Sequence, residues 1–286
     1  MRRLLNELVP AAMVAAAAAA MIGCGSSAGS VATSAPTKQP SPSSAVTAAP
    51  SLGATPASGP LAIWPSAAAL ATTQRWLRGR IGVTALAVID SRGRLHGYRY
   101  DMQFGSASLV KAMLLVQYLR THARIPTHER LLLTRMIVGS DNAATDSVFA
   151  QVGTGGLSDV ARVAGMERFT PSNVWALSRV TAADQARFFF RIDSLVPERQ
   201  RALLERVLAE RGRYRGWGIP QAALPRGWRV WWKDGWMHSA RGELLLQAAR
   251  LEGQGITFAV AVIADGQPTS GYGVATMRGV GERLLR

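Results

Sequence analysis

Ser108 and Lys111 stand three residues apart, with only Leu109 and Val110 between them. An alcohol is a weak nucleophile until a base takes its proton, and a lysine moved out of water can be that base because burial lowers its pKa. Arginine cannot take the role, since its guanidinium stays protonated. The chain carries 33 basic residues and only three are lysines, Lys38, Lys111 and Lys233. Lys38 lies in a Ser/Pro-rich stretch, so the other two stand out as chemically chosen.

Two further motifs add groups of the right kind. Ser140-Asp141-Asn142 falls where a helical pattern breaks, so its side chains can enter a cleft from a loop. A hydroxyl there can pass a proton onward from Lys111. Asn142 can offer both a donor and an acceptor to a substrate amide. Lys233-Asp234-Gly235-Trp236 follows Trp231-Trp232 on a strand-like segment. Lys233 would give a substrate carboxylate a partly dry cationic site, and Gly235 would let a substrate backbone approach the strand. Trp236 or Trp217 would line the groove, with His238 near its edge. His96, His122, His128 and His238 show no metal-ligand spacing, so neither a metal nor a cofactor is expected.

The elements that must hold these groups follow from periodicity. Helices are expected over Ser66–Arg78, Ser108–Leu119, Glu129–Val138, Ala143–Gln151, Leu157–Val163, Ala182–Ile192, Arg201–Glu210 and Met277–Leu285. Thr181 and Asp184 form a capping pattern for the sixth of these. Ile81–Asp90 and Leu95–Tyr100 read as a hairpin turned at Ser91-Arg92-Gly93-Arg94. Arg229–Trp236, Glu243–Ala249 and Ile256–Ile263 read as three antiparallel strands, the first two joined by a turn over Ser239–Gly242. The resulting class is α+β, an antiparallel β-sheet flanked by helices plus an all-helical lobe from the middle of the chain.

The N-terminus reads as an export signal. Arg2 and Arg3 precede an apolar run from Leu8 to Gly23, shorter than the roughly 20 residues a bilayer span needs. Met21-Ile22-Gly23-Cys24 is similar to a bacterial lipobox, which makes residues 1–23 a signal peptide and Cys24 a lipidation site. Cys24 is the only cysteine, which excludes disulfides and a thiolate nucleophile in the folded part. Residues 24–60 form a Ser/Pro/Ala-rich linker too poor in apolar residues to fold, and 61–286 form the globular domain. The location expected is the extracytoplasmic face of the cell membrane, anchored through lipid on Cys24. The formal net charge is +15. Scattered arginines without a nucleic-acid motif indicate a solvated basic surface and no nucleic-acid partner. The domain is expected to act as a monomer.

Taken in order, Ser-x-x-Lys, Ser-Asp-Asn and Lys-x-Gly resemble the signature set SxxK, SDN and KTG of the penicillin-binding protein and class A β-lactamase superfamily of active-site serine hydrolases. The resemblance covers residues 61 to 286. It implies that Ser108 is the acylated nucleophile, Lys111 its base, Ser140 a proton relay and Asn142 the holder of a substrate amide. Lys233 would support the relay and attract a carboxylate, and the backbone N–H groups of Ser108 and Trp236 would form the oxyanion hole. Two departures stand beside it. Phe169 to Val180, where class A enzymes carry a water-activating glutamate, contains no Glu or Asp, and Glu167 is the nearest substitute in sequence. Asp234 replaces the Thr or Ser of KTG, where it would pair with Lys233. The expected activity is acyl-serine chemistry on a β-lactam or peptidoglycan-like amide or ester with slow deacylation. The alternative readings are a non-catalytic wall-associated or β-lactam-binding lipoprotein of the same fold, and a structural lipoprotein.

Overall fold

A computed structural model describes residues 63–209 and 216–286. The signal segment, Cys24 and the linker lie outside the described residues. The helices and strands run in the order α1 (Ala67–Arg78), β1 (Val83–Ile89), β2 (Leu95–Tyr98), β3 (Phe104–Gly105), α2 (Lys111–Thr121), α3 (Thr127–Val138), α4 (Asn142–Ala164), β4 (Arg179–Val180), α5 (Ala182–Arg191), α6 (Glu198–Leu208), α7 (Ile219–Ala223), β5 (Arg229–Ser239), β6 (Gly242–Gly253), β7 (Ile256–Gln267) and α8 (Ser270–Leu284). Five strands make one antiparallel sheet in the order β2-β1-β7-β6-β5, while β3 and β4 form a small separate pair. The chain is therefore α+β, with the expected sheet, flanking helices and helical lobe. Among the described residues no helix is long and apolar enough to cross a membrane.

Side chains alternate across a strand, and the sheet sorts two cores by that period of two. Ala85, Ala87, Ala248, Ala259, Ala261 and Trp231 join the core shared with α2, α4 and α5. Leu86, Val88, Val230, Trp232, Phe258 and Val262 join the other, beneath α1, α7 and α8. Alanine is the commonest residue on the face toward the helical lobe, which lets helices lie close to the sheet. Lys233 has the parity of Trp231, so it faces the lobe too.

Predicted elements recur with shifted ends. The segments expected over Ala143–Gln151 and Leu157–Val163 are joined as α4, with a break at Gly153, whose φ of 63° is left-handed. α6 starts and ends earlier than Arg201–Glu210. α8 starts seven residues before Met277, capped by the Thr269 side chain, which accepts from the Tyr272 N–H. Its early glycines argue against helix by propensity. Packing overrides this: a Cβ on Gly273 would lie 2.4 Å from Leu245.

Candidate active site

The interior of α2 fixes the environment of Ser108. Every residue from Lys111 to Leu119 is buried, and a helix apolar on all sides belongs in a core. Lys111 opens this helix and is 0% exposed. Ser108 lies just before it on a 3-10 turn over Ala107–Val110, half-buried. That turn is pinned to the segment after α4. Ser106 Oγ donates to the carbonyls of Trp175 and Ala176 at 3.1 and 3.2 Å, and its N–H donates to Ser178 O at 2.8 Å. Phe104 and Gly105 pair with Val180 and Arg179. Ala107 has φ 44°, a left-handed conformation that disfavours a Cβ, and this strained residue directly precedes Ser108.

The loop between α3 and α4 brings the second motif to the first. Asp141 caps α4, its Oδ1 accepting from the Ala144 N–H at 2.8 Å and its Oδ2 from Arg135 Nη2 at 2.7 Å. These two bonds hold its carboxyl below the usual range. The middle residue of the motif is thus scaffold for its neighbours. Ser140, at φ 51°, turns toward Lys111. Lys111 Nζ donates to Ser140 O at 2.6 Å and to Asn142 Oδ1 at 2.8 Å, and lies 3.3 Å from Ser140 Oγ. From β5, Lys233 Nζ reaches the same Ser140 Oγ at 3.3 Å. It also donates to Asp234 O at 2.9 Å and Asp234 Oδ1 at 2.8 Å. The structure therefore brings Lys111, Ser140, Asn142 and Lys233 into one network, and Lys111 follows Ser108 by three residues.

Burial, and then the positive charge of Lys233, push the Lys111 pKa down from 10.5 to about 7. Asp141, Asp146 and Asp234 oppose the shift without cancelling it. A neutral lysine has two N–H donors and one lone pair. Ser140 O and Asn142 Oδ1 account for the donors, which leaves the lone pair to accept a proton. Among the described residues no hydrogen bond joins Ser108 Oγ to Nζ in this state. Catalytic hydrogen bonds often shorten only in the substrate complex.

The site departs from expectation in three details, two of them on the sheet wall. Lys233 is wholly buried rather than partly dry, 0% exposed, and is paired with Asp234. Gly235 is required by the protein itself: a Cβ there would stand 3.1 Å from the backbone nitrogens of Ser108 and Leu109. The close approach is therefore that of the turn carrying Ser108. The acceptor of Asn142 is engaged by Lys111, so only its amide donors remain for a substrate. β5 is an edge strand, so its outer backbone groups are not used by the sheet. Trp236, on β5 itself, is 49% exposed. Glu243 accepts from Trp236 Nε1 at 2.5 Å and also pairs with His238 at 3.3 Å. His238 packs edge-on against Trp236, with ring centroids 5.1 Å apart, so Glu243 fixes both at the rim.

Sequence reasoning missed Trp175 and Asp146. The Trp175 ring lies over Lys111, 4.9 Å from Nζ, and its Nε1 donates to Asp146 Oδ1 at 2.8 Å. Asp146 is four residues after Asn142 on α4, hence on the same helix face; that spacing was the available signal. Nothing marked Trp175 beyond its place in a loop without acids. Glu167, the substitute considered above, is exposed and paired with Arg187 at 2.9 Å. Among the described residues no cluster of His, Cys, Asp and Glu could hold a metal ion.

Residues 125–286 match the beta-lactamase enzyme family. The match includes Ser140, Asn142 and Lys233 but starts after Ser108 and Lys111. No curated protein matches the chain in sequence. Among solved structures, a beta-lactamase from Xanthomonas campestris superposes with TM-score 0.63 at 18% identity, covering 76% of this chain and 96% of that one. One from Sphaerobacter thermophilus gives 0.62 at 18%, with 76% and 95% covered. A class A enzyme from Mycobacterium abscessus gives 0.61 at 20%, with 76% and 98% covered. At such identities the likeness is one of fold.

Proposed function

The chain belongs to the beta-lactamase enzyme family and is a serine hydrolase of that type, and we propose that it forms an acyl-enzyme at Ser108 with slow hydrolytic release. The substrate in this reading is a β-lactam or a peptidoglycan-like amide or ester. The observation that carries it is the convergence of two buried lysines on one hydroxyl. Lys111 and Lys233 each lie 3.3 Å from Ser140 Oγ, and Lys111 is brought to a pKa of about 7.

The steps follow from these groups. Neutral Lys111 takes the Ser108 proton as Oγ attacks the carbonyl carbon. The backbone N–H groups of Ser108 and Trp236 receive the developing oxyanion. Collapse expels the amine or alcohol, which takes its proton from Lys111 through Ser140. Lys233 keeps that hydroxyl polarised, and Asn142 and Trp236 hold the substrate. Slow release is supported by the absence of Glu and Asp from residues 169–180. The pairing of Asp234 with Lys233 favours a second reading, a wall-associated or β-lactam-binding lipoprotein that keeps the fold without turnover. We further propose that lipid on Cys24 and the 24–60 linker tether the domain to the outer face of the membrane.

Incubation with a fluorescent penicillin, followed by intact mass and drug consumption, separates these readings. A persistent adduct that disappears in Ser108→Ala is expected. Rapid consumption without an adduct means efficient turnover, and neither adduct nor consumption favours the binding module. An adduct retained by Ser108→Ala would falsify the assignment of the nucleophile.

A further inference from the structure

Trp175 is tied at three points. Its carbonyl accepts from Ser106 Oγ at 3.1 Å, its Nε1 donates to Asp146 at 2.8 Å, and its ring faces Lys111 Nζ at 4.9 Å. The first point lies two residues before Ser108 and the last is Lys111 itself, so Trp175 bridges the two, through its backbone carbonyl on one side and its ring on the other. A water standing on the line between Nζ and the ring would need roughly 6 Å between them, one hydrogen bond plus one van der Waals contact. At 4.9 Å none fits directly between the amine and the ring.

We propose that the Trp175–Asp146 pair is a latch that sets the lifetime of the acyl-serine, keeping water from the Lys111 side of the ester while it is closed. This rests on the acyl-serine reading above. With the latch open, a water oxygen attacks the acyl carbonyl carbon and its proton passes to neutral Lys111. The bond from that carbon to Ser108 Oγ then breaks, and Oγ takes the proton back. Acid and free serine result, with no further reactant. Asp146 is a positioning residue here, since its carboxylate is occupied in holding the indole.

The groups that face Lys111 make a second readout possible. They are Lys233 and Asp234 from β5, Asp141 and Asp146 from α4, and Trp175 from the loop. Opening the latch admits water to Nζ, which relieves part of the desolvation that lowers its pKa. In Trp175→Ala, which keeps Asp146, the acid limb of acylation against pH therefore moves upward, whereas Asp146→Ala also removes a charge that raises the Lys111 pKa and is read by adduct lifetime alone.

The test uses the full chain labelled with fluorescent penicillin, freed of excess reagent, and followed by intact mass. Trp175→Ala and Asp146→Ala are expected to shorten the adduct lifetime by about tenfold or more, a modest part of what positioned proton transfer contributes. Trp175→Phe keeps a ring over Nζ without the hydrogen bond and should fall between them and the parent. Asp146→Ala leaves the loop sequence intact, so the test survives if Trp175→Ala fails to fold. An adduct whose lifetime is the same in the parent, Trp175→Ala and Asp146→Ala overturns the latch alone. Consumption of the drug without an adduct on the parent chain overturns the latch alone, and neither adduct nor consumption overturns the acyl-serine reading and the latch with it.

Discussion

On the side of Ser108 built from α2, α4 and β5, two wholly buried lysines share one hydroxyl. On the side built from residues 169–180, which contain no Glu or Asp, the Trp175 indole faces Lys111. Both sides are held firmly, by Asp141 capping α4 on one and Ser106 binding the loop on the other. The difference therefore lies in chemistry and not in order. Acylation needs a base for an alcohol already in place, whereas deacylation also needs a site for water. One fold can keep the first and lose the second, because different elements supply them.

The sharpest way to break this contrast is to remove the base. Lys111→Met keeps the stem and discards the amine, and acylation should fall about 10²–10⁴-fold, the usual contribution of a positioned proton acceptor. In the parent protein the free amine accumulates above about pH 7. Acylation should rise about tenfold per pH unit below that value and level off above it. The sign for stability follows from the same shift. Between about 7 and 10.5 the unfolded chain binds the proton that folded Lys111 has lost, so stability rises with pH across that window. A pH-independent acylation rate from pH 5 to 9 would remove Lys111 from the role.

A smaller effect is expected at the shared hydroxyl. Ser140→Ala leaves both lysines buried, with Ser140 O still accepting from Lys111, but breaks the relay between them. Acylation should slow by roughly 10–100-fold with little change in melting temperature, as measured by stopped-flow labelling beside calorimetry. Gly235→Ala tests the close packing of the two walls. Its Cβ would press on the backbone nitrogens of Ser108 and Leu109 at 3.1 Å. Backbone cannot yield as a side-chain end can, so about 1–3 kcal/mol of stability should be lost along with acylation. A fully stable, fully active Gly235→Ala would show that the strand and the nucleophile turn are not held as closely as drawn.

The half of the site that was legible in sequence is the half with rare residue types at fixed spacing. Lysines are scarce in this chain, so Lys111 and Lys233 announced themselves, and the turn residues around Ser140 marked a loop. Trp175 and Asp146 were not legible because their roles come from tertiary contact: a loop aromatic and an exposed helix aspartate are ordinary until they meet at 2.8 Å. The fate of Asp234 was half legible. Its pairing with Lys233 was foreseen from adjacency, but the complete burial of the lysine depends on the lobe packed against an alanine-rich sheet face.

Two helix caps turn the last part of the comparison into a measurement. Thr181 caps α5 by accepting from the Asp184 N–H at 3.0 Å, and Asp141 caps α4 by accepting from Ala144 at 2.8 Å. The device is the same, but Thr181 touches none of the four groups in the lysine network, whereas Asp141 lies between Ser140 and Asn142. Thr181→Ala should lose about 1 kcal/mol, read as a lower melting temperature, with acylation unchanged once the protein is folded. Asp141→Ala should slow acylation several-fold at temperatures where it remains folded, because Ser140 and Asn142 lose their fixed aim at Lys111. Asp141→Asn retains an acceptor for the Ala144 N–H and should recover most of that rate. Equal acylation rates in Thr181→Ala and Asp141→Ala would mean that Lys111 itself holds the Ser140 loop, through its bonds to Ser140 O and Asn142 Oδ1, and that the cap only stabilises α4.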